Sequence, residues 1–347
     1  MRKVALILAL LAIAPGQSLF GAARPVIFAS YAGDSEQLRN TLALVESIRE
    51  FGGQFAGAPV WIYTPPNVLK TQEKLVKSIS SLGAEVRQGD VPRDARDVPY
   101  AGKVFAASKA EAAAKGAASI LVWLDEDTIV LKEPRELALA RGKSVGLRPV
   151  THRNIGSLYS EKPDAFWSLV YRKLAIPESA FFPMKTVADG ALLRPYFNAG
   201  LLAVRPERGL LQGWKDAFAA LYHDPEVMEL CAKEARARIF LHQAALSGAI
   251  LQSVAKDEMT MLPDGYNYPL FFNEMYGANR PFDTLDGVVT LRYDVYFRNP
   301  APGWSAKLKG SPTAVSWLEE RFGGGSGESD DLGTKMRYRF QHGGGRS

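Results

Sequence analysis

Short, fully apolar runs alternate with longer amphipathic ones through the first third of the chain. Pro25-Val-Ile-Phe-Ala-Ser30 is a continuous apolar run, the pattern of a strand buried on both faces. Asp34 follows, with Gln37 three residues on, a pairing that caps a helix. Leu38, Leu42, Val45 and Ile48 then fall on one helical face, and Gly52-Gly53 close it. Pro59-Val-Trp-Ile-Tyr63 repeats the apolar run and Pro65-Pro66 stop it. Leu69 to Leu82 has a helical period, and Ala84-Glu-Val-Arg87 reads as a third strand. Strands alternating with helices in this way predict a parallel sheet with right-handed crossovers.

A polar, proline-bearing loop covers Gln88 to Tyr100, and an alanine-rich helical segment covers Lys103 to Lys115, ended by Gly116. Further strands are expected at Ser144–Arg148 and Ala199–Val204, with a helix over Pro163–Leu174 and a loop-rich insertion over Pro177–Pro195. Helices are expected at Leu210–Tyr222, Pro225–Ala237 and Phe240–Val254. Strand-like pieces recur near Thr260–Leu262 and Val288–Arg292, and Ser311–Phe322 reads as a last helix. The chain shows no internal repeat. The expected class is α/β: one domain over residues 24–322, with a mostly parallel central sheet flanked by helices.

One stretch departs from this alternation. Ser119-Ile-Leu-Val-Trp-Leu-Asp-Glu-Asp-Thr-Ile-Val-Leu131 is an apolar run, two aspartates one residue apart, and a second apolar run. A buried strand here delivers Asp125 and Asp127 to its carboxyl end, where open α/β sheets bind ligands. At an i, i+2 spacing on extended backbone the two carboxylates point the same way. They can share one hard divalent cation, and that cation can hold a diphosphate. The bland alternative is a solvated acidic turn. Haloacid-dehalogenase-type phosphatases also place Asp-x-Asp after an apolar strand, but with threonine two residues beyond the second aspartate; here Thr128 follows at once.

Composition narrows the function classes. The 347 residues include 42 Lys+Arg against 37 Asp+Glu, a net charge of +5 that permits an anionic ligand but is no nucleic-acid signature. The single cysteine, Cys231, excludes an internal disulfide and a zinc-thiolate cluster, and is expected to be a buried apolar residue. The four histidines form no metal-like pair. At the N-terminus, Arg2-Lys3, the apolar run Val4–Ala14 and a small-residue stretch to Ala23 match an export signal or membrane anchor over residues 1–23. The chain is therefore expected to be exported or anchored at a membrane through its N-terminus. From Gly323 the Gly/Ser/Asp-rich residues to 347 read as a disordered tail.

Weaker signals accompany the acidic pair. Tyr196-Phe-Asn-Ala-Gly-Leu-Leu-Ala-Val204 is a small-residue turn entering an apolar strand, suited to close approach of a ligand. His242-Gln243 is a polar pair within an apolar helix, and Leu262-Pro-Asp-Gly-Tyr-Asn-Tyr-Pro269 is a turn-rich aromatic stretch suited to stacking on a sugar or base. Lys103 opens the helix before the acidic strand and could reach a phosphate.

In this order the motifs resemble glycosyltransferases of the nucleotide-diphospho-sugar transferase (GT-A) fold, most nearly the retaining family of glycogenin and the bacterial lipopolysaccharide galactosyltransferases, over residues 25–300. The resemblance implies a glycosyltransferase of hexosyl type, with a nucleotide-sugar donor and a glycan, lipid or protein acceptor. It places Ala29, Ser30 and Tyr31 near the nucleotide base and Lys103 at the diphosphate or ribose. Asp125 and Asp127 would hold Mn²⁺ or Mg²⁺, while Asn198 and Gly200 would approach the donor sugar or acceptor. Gln243 would sit near the anomeric carbon, with His242, Asn267 and Arg292 among the substrate contacts. Gln243, Asp264 and Asn198 are the candidate catalytic residues, with Gln243 the group for a retaining course and Asp264 the base for an inverting one. Two departures stand out. The family's C-terminal histidine, a metal ligand, has no counterpart in Val289-Thr-Leu-Arg-Tyr-Asp-Val-Tyr296, where Asp294 could substitute or Arg292 could meet phosphate directly; and His242 replaces an aspartate. A non-catalytic nucleotide or glycan binder of the same fold, and another phosphate-handling enzyme, remain as alternatives.

Overall fold

The computed structural model describes residues 25–271, 281–294, 296–297 and 303–322. The N-terminal leader over 1–23 and the tail over 323–347 lie outside the described residues. Among the described residues no helix is long and apolar enough to cross a membrane.

The elements in chain order are β1 Val26–Tyr31, α1 Ser35–Phe51, β2 Val60–Thr64, α2 Pro66–Thr71, α3 Glu73–Ser81, β3 Ala84–Gln88, α4 Ala101–Ala114, β4 Ile120–Leu124 and β5 Thr128–Val130. Next come β6 Val145–Pro149, α5 Ala165–Lys173, the short hairpin β7 Met184–Lys185 and β8 Leu192–Leu193, β9 Phe197–Val204, α6 Leu210–Tyr222, α7 Pro225–Lys233 and α8 Ala235–Ser253. The described chain ends with β10 Met259–Met261, β11 Tyr268–Pro269, β12 Thr290–Arg292, α9 Trp304–Lys307 and α10 Pro312–Phe322.

Seven strands form the central sheet in the order β10-β6-β9-β4-β1-β2-β3. The β1–β2, β1–β4, β2–β3 and β10–β6 pairs are parallel; β9 runs antiparallel to both β4 and β6. The expected α/β class with a mostly parallel, helix-flanked sheet is what is found, and β9 is the strand that reverses direction.

Every residue of β4 is buried, because helices cover both sheet faces and leave no wet side. Leu121 and Trp123 pack with α4, α6 and α8, whereas Val122 and Leu124 pack on the side of α1. The alanines of α4 let that helix lie close to β1, and a buried carboxylate, Glu111, takes the backbone N–H of Gln212 in the first turn of α6 at 2.8 Å. An acid under a helix N-terminus meets free N–H donors and the positive end of the dipole. Burial nevertheless raises the pKa of Glu111 above its ordinary value.

Local signals shape the entry to α1. Asp34 Oδ1 accepts the Gln37 N–H at 2.8 Å, as expected of a cap; the Gln37 side chain reaches one residue further back, to the N–H of Gly33 at 2.6 Å. The helix expected over Leu69–Leu82 is broken at Gln72 into α2 and α3.

A second, three-stranded sheet, β11-β12-β5, lies beside the first. In it β12 pairs antiparallel with β5, in a register that sets Arg292 opposite Thr128. A third apolar cluster, including Ile129, Leu291, Tyr293, Trp304 and Trp317, anchors this sheet to the C-terminal helices.

Candidate active site

A cleft of about 1080 Å³ opens where β1, β4 and α4 meet the small sheet. It is lined by Tyr31, Lys103, Asp125, Asp127, Asn198, Gly200, His242, Gln243, Asn267 and Arg292, among others. The structure thus brings together ten of the thirteen residues singled out from sequence. The other three lie elsewhere. Ala29 and Ser30 are buried within β1, so the end of that strand meets the cleft only through Tyr31. Asp264 lies outside the cleft lining: its carboxylate is held by Arg148 at 2.5 Å, and Arg148 also donates to the Leu262 carbonyl at 2.6 Å.

The acidic pair also differs in detail from expectation. Asp125-Glu126-Asp127 is a turn between β4 and β5, closed by the Thr128 N–H donating to the Asp125 carbonyl at 3.1 Å. Extended backbone is ruled out because β5 leaves the central sheet at once to pair with β12. Both aspartates still face the cleft. The Asp125 N–H is fixed by the Gly200 carbonyl at 2.8 Å, so the turn is tied to β9.

Two cations share these carboxylates. Lys103 Nζ lies 2.5 Å from Asp125 Oδ1, and both side chains are largely buried. The Arg292 guanidinium stands among three carboxylates, 3.6 Å from Asp127, 4.0 Å from Asp125 and 4.0 Å from Asp294. Unit charges 4 Å apart interact by about 4 kcal/mol at an effective dielectric near 20, so this cluster is held largely by its own charges. Asp127 Oδ2 also accepts the Asp294 N–H at 2.9 Å. Burial, aided by Asp125 and Asp294 and opposed by Arg292, pushes the Asp127 carboxyl up to about 7.

These residues do not fit a bound divalent ion well. Such an ion needs several oxygen ligands converging at 2.0–2.6 Å. Here one carboxylate oxygen of each aspartate is engaged by Lys103 or by a backbone N–H, and a permanently charged guanidinium adjoins both residues. One carboxylate oxygen, Asp127 Oδ1, is buried without a hydrogen-bond partner. Among the described residues no group of three or more His, Cys, Asp or Glu is arranged to hold a metal ion.

Opposite the acidic turn, β9 begins with bare backbone. A Cβ added at Gly200 would meet Asp125 Oδ2 at 2.9 Å and the side-chain oxygens of Asn198 and Asn267, each at 3.0 Å. Three acceptor oxygens therefore surround a space that only glycine leaves open, and the Asn267 oxygen is buried without a partner. Such oxygens are suited to hydroxyl donors. From α8, Gln243 accepts the Ala199 N–H at 3.3 Å and Ser247 accepts the Phe197 N–H at 3.0 Å, which fixes the start of β9 against the helix.

His242 stacks on Tyr100, with ring centroids 4.1 Å apart. Its Nδ1 lies 2.9 Å from the Ile239 carbonyl. Burial, with Lys103 and Arg292 nearby, holds its pKa well below the ordinary histidine value. Tyr100 itself adopts a left-handed backbone, φ 64°, as do Asn154, Asn267 and Asp294 around the same cleft. Four of the five non-glycine residues with positive φ among the described residues line this one cleft. Left-handed backbone at such residues is costly and gathers at functional sites. Tyr100, Asn154 and Arg236 were not singled out from sequence, since no motif marks them; their signal is backbone strain or position on the cleft wall.

Residues 31–253 match the family model of the Rhodobacterales glycosyltransferase domain. The chain belongs to that family. No curated protein matches it. Among solved structures, the glycosyltransferase domain is similar to mouse xyloside xylosyltransferase 1 in its apo form, at 13% identity and a TM-score of 0.43, covering 79% of this chain and 98% of that one. It is also similar to the galactosyltransferase LgtC in complex with donor and acceptor sugar analogues, at 13% identity and a TM-score of 0.43, covering 90% and 99%. The glycosyltransferase GlyE of Streptococcus pneumoniae TIGR4 is similar at 13% identity and a TM-score of 0.44, covering 92% of this chain and 64% of that one. The glycosyltransferase family and the α/β architecture agree with the resemblance drawn from the motifs. The family match ends before Asn267 and Arg292, which complete the cleft from the C-terminal side.

Proposed function

We propose that this domain transfers a sugar, of hexosyl type, from a nucleoside-diphosphate sugar to a hydroxyl of a glycan, lipid or protein acceptor. The observation that carries the reading is the cleft itself. Two cations, the buried Lys103 and the half-buried Arg292, stand beside the oxygen cradle of Asp125, Asn198 and Asn267 over Gly200. The cations suit a leaving diphosphate and the cradle suits the hydroxyls of the donor sugar. The tyrosine ring of Tyr31, on the cleft wall at the end of β1, offers a surface for the base. Catalysis then rests on positioning and on stabilising the charge that develops on the diphosphate.

Gln243 is the candidate group at the anomeric carbon. With Asp264 bound to Arg148, no base is assigned from that position, which favours a retaining course over an inverting one. The same observation supports a second reading, a binder of nucleotide or glycan that does not turn over. Donor hydrolysis and transfer by the wild-type chain, compared with Asp125→Asn, decide between the two. Turnover lost in the variant supports the transferase; nucleotide binding without turnover in the wild type supports the binder; equal turnover in both refutes the assignment of this site. We further propose association with a membrane or export through residues 1–23, on the strength of Arg2-Lys3 and the apolar run that follows.

A further inference from the structure

We propose that Arg292, together with Lys103, is the resident cation of this site, so that a nucleoside diphosphate is neutralised by side chains and binds without a divalent ion. The inference rests on the diphosphate reading above and specifies how the charge is met.

Three observations carry it. First, the guanidinium occupies the point at which Asp125, Asp127 and Asp294 converge, at 3.6 to 4.0 Å from all three. That is where a metal shared by these carboxylates would be drawn, and an arginine there cannot discharge to make room. Second, the aspartates are already engaged: Asp125 by Lys103 at 2.5 Å, and Asp127 by the Asp294 N–H at 2.9 Å. A metal would have to displace Lys103 or sit against two positive side chains. Third, Arg292 is held by charge but not saturated. Its Nε is buried and has no hydrogen-bond partner within reach, and the distances to the three carboxylates are those of ion pairs rather than of aligned hydrogen bonds. A guanidinium carries five donors in a planar fork that matches phosphate oxygens two at a time. The group is therefore held in place with donors to spare, on the wall of a cleft wide enough for a nucleotide sugar.

The position of Arg292 is fixed from outside the cleft. Its strand is registered on β5 through Arg292 opposite Thr128, and the preceding Thr290 accepts the Asn267 N–H at 2.7 Å. The fork is thus presented by two flanking strands rather than by a flexible loop.

The test uses the full chain after chelator treatment. A panel of nucleoside diphosphates is titrated calorimetrically with and without Mn²⁺, and binding of Mn²⁺ alone is read from the free-ion paramagnetic resonance signal. The expected result is a dissociation constant for the preferred nucleotide that Mn²⁺ alters by less than about threefold, with no uptake of Mn²⁺ alone. In Arg292→His, metal-free binding is expected to weaken by roughly a hundredfold and to be partly restored by Mn²⁺. Arg292→Lys, which keeps the charge and loses the fork, should fall between the two and remain indifferent to Mn²⁺. Tightening of wild-type binding by Mn²⁺ of about tenfold or more, or stoichiometric uptake of Mn²⁺ alone, overturns the inference. Failure of every nucleotide to bind under both conditions instead refutes the diphosphate reading, and the Mn²⁺-alone signal still decides whether the carboxylates take a metal. Should Arg292→His not fold, the two wild-type titrations suffice.

Discussion

Lys103 Nζ and Asp125 Oδ1 lie 2.5 Å apart, one from the first turn of α4 and the other from the turn after β4, in a pocket that excludes most water. Each half of such a pair depends on the other. Removing one partner leaves an uncompensated buried charge, at a cost of about 3–5 kcal/mol. Lys103→Met should therefore destabilise the fold markedly as well as weaken nucleotide binding, whereas the double variant Lys103→Met/Asp125→Leu should recover part of the stability and none of the binding. Chemical denaturation of the three proteins reads the stability side. Additive losses in the double variant would show that the two groups are not coupled.

Gly200 gives a prediction in which stability and function separate. An alanine methyl here would press on the side-chain oxygens of Asp125, Asn198 and Asn267 at 2.9–3.0 Å. Overpacking costs about 1–3 kcal/mol, which a domain of this size can survive. Gly200→Ala should fold, with a lowered melting temperature, and lose donor turnover by roughly a hundredfold or more, because the methyl fills the space between the three acceptors. A folded variant with unchanged turnover would show that the donor sugar is bound elsewhere.

The pH dependence of stability should carry a signature of His242. In the folded protein, burial, with Lys103 and Arg292 nearby, holds the ring neutral well below its ordinary pKa. In the unfolded chain it titrates near 6.5. Since the folded pKa is the depressed one, the neutral ring contributes stability above about pH 6.5, and that contribution is lost as pH falls below it. His242→Phe keeps a ring for Tyr100 to stack on and removes the proton site. Melting temperatures measured from pH 7.5 down to 5.5 should fall less steeply in this variant than in the wild type, and parallel curves would remove His242 from the account.

Ser247 tests how the entry of β9 is held. Its hydroxyl accepts the buried Phe197 N–H at 3.0 Å and donates to the Gln243 carbonyl at 3.0 Å. Ser247→Ala strands a buried donor, at a cost of about 1–3 kcal/mol. The loss should appear in equilibrium unfolding and in faster amide exchange at Phe197. An unchanged exchange rate there would mean that water replaces the hydroxyl.

Much of this architecture could be read along the chain, because the information is local. The apolar runs of β1, β2 and β4 and the cap at Asp34 state their own structure. The acidic pair announces a site, since two aspartates after a fully buried strand have little structural reason to be there. What could not be read is pairing across long separations. That β12 lies on β5, and so sets Arg292 beside Asp127, is a matter of register between segments that share no local pattern. The pairing of Asp264 with Arg148 was equally hidden. Asp264 sits in a turn after β10, and Arg148 lies on β6, 116 residues earlier. The left-handed residues around the cleft were invisible for another reason: φ is decided by the packed whole, and tyrosine or aspartate gives no warning of it.

The β5–β12 pairing also bears on how the protein is made. The acidic turn is complete once residue 127 has been synthesised, but its guanidinium arrives only with residue 292, on a strand clamped by the aromatic cluster of the C-terminal helices. A ribosome therefore releases β1 to β4 well before Arg292 can join the acidic turn. A chain ended at residue 253, where the family match stops, would retain α8 and the Lys103–Asp125 pair but lack Arg292. The cluster of Asp125, Asp127, Asp294 and Arg292 is therefore assembled from segments more than 160 residues apart, and it forms only after the β12 segment has been made.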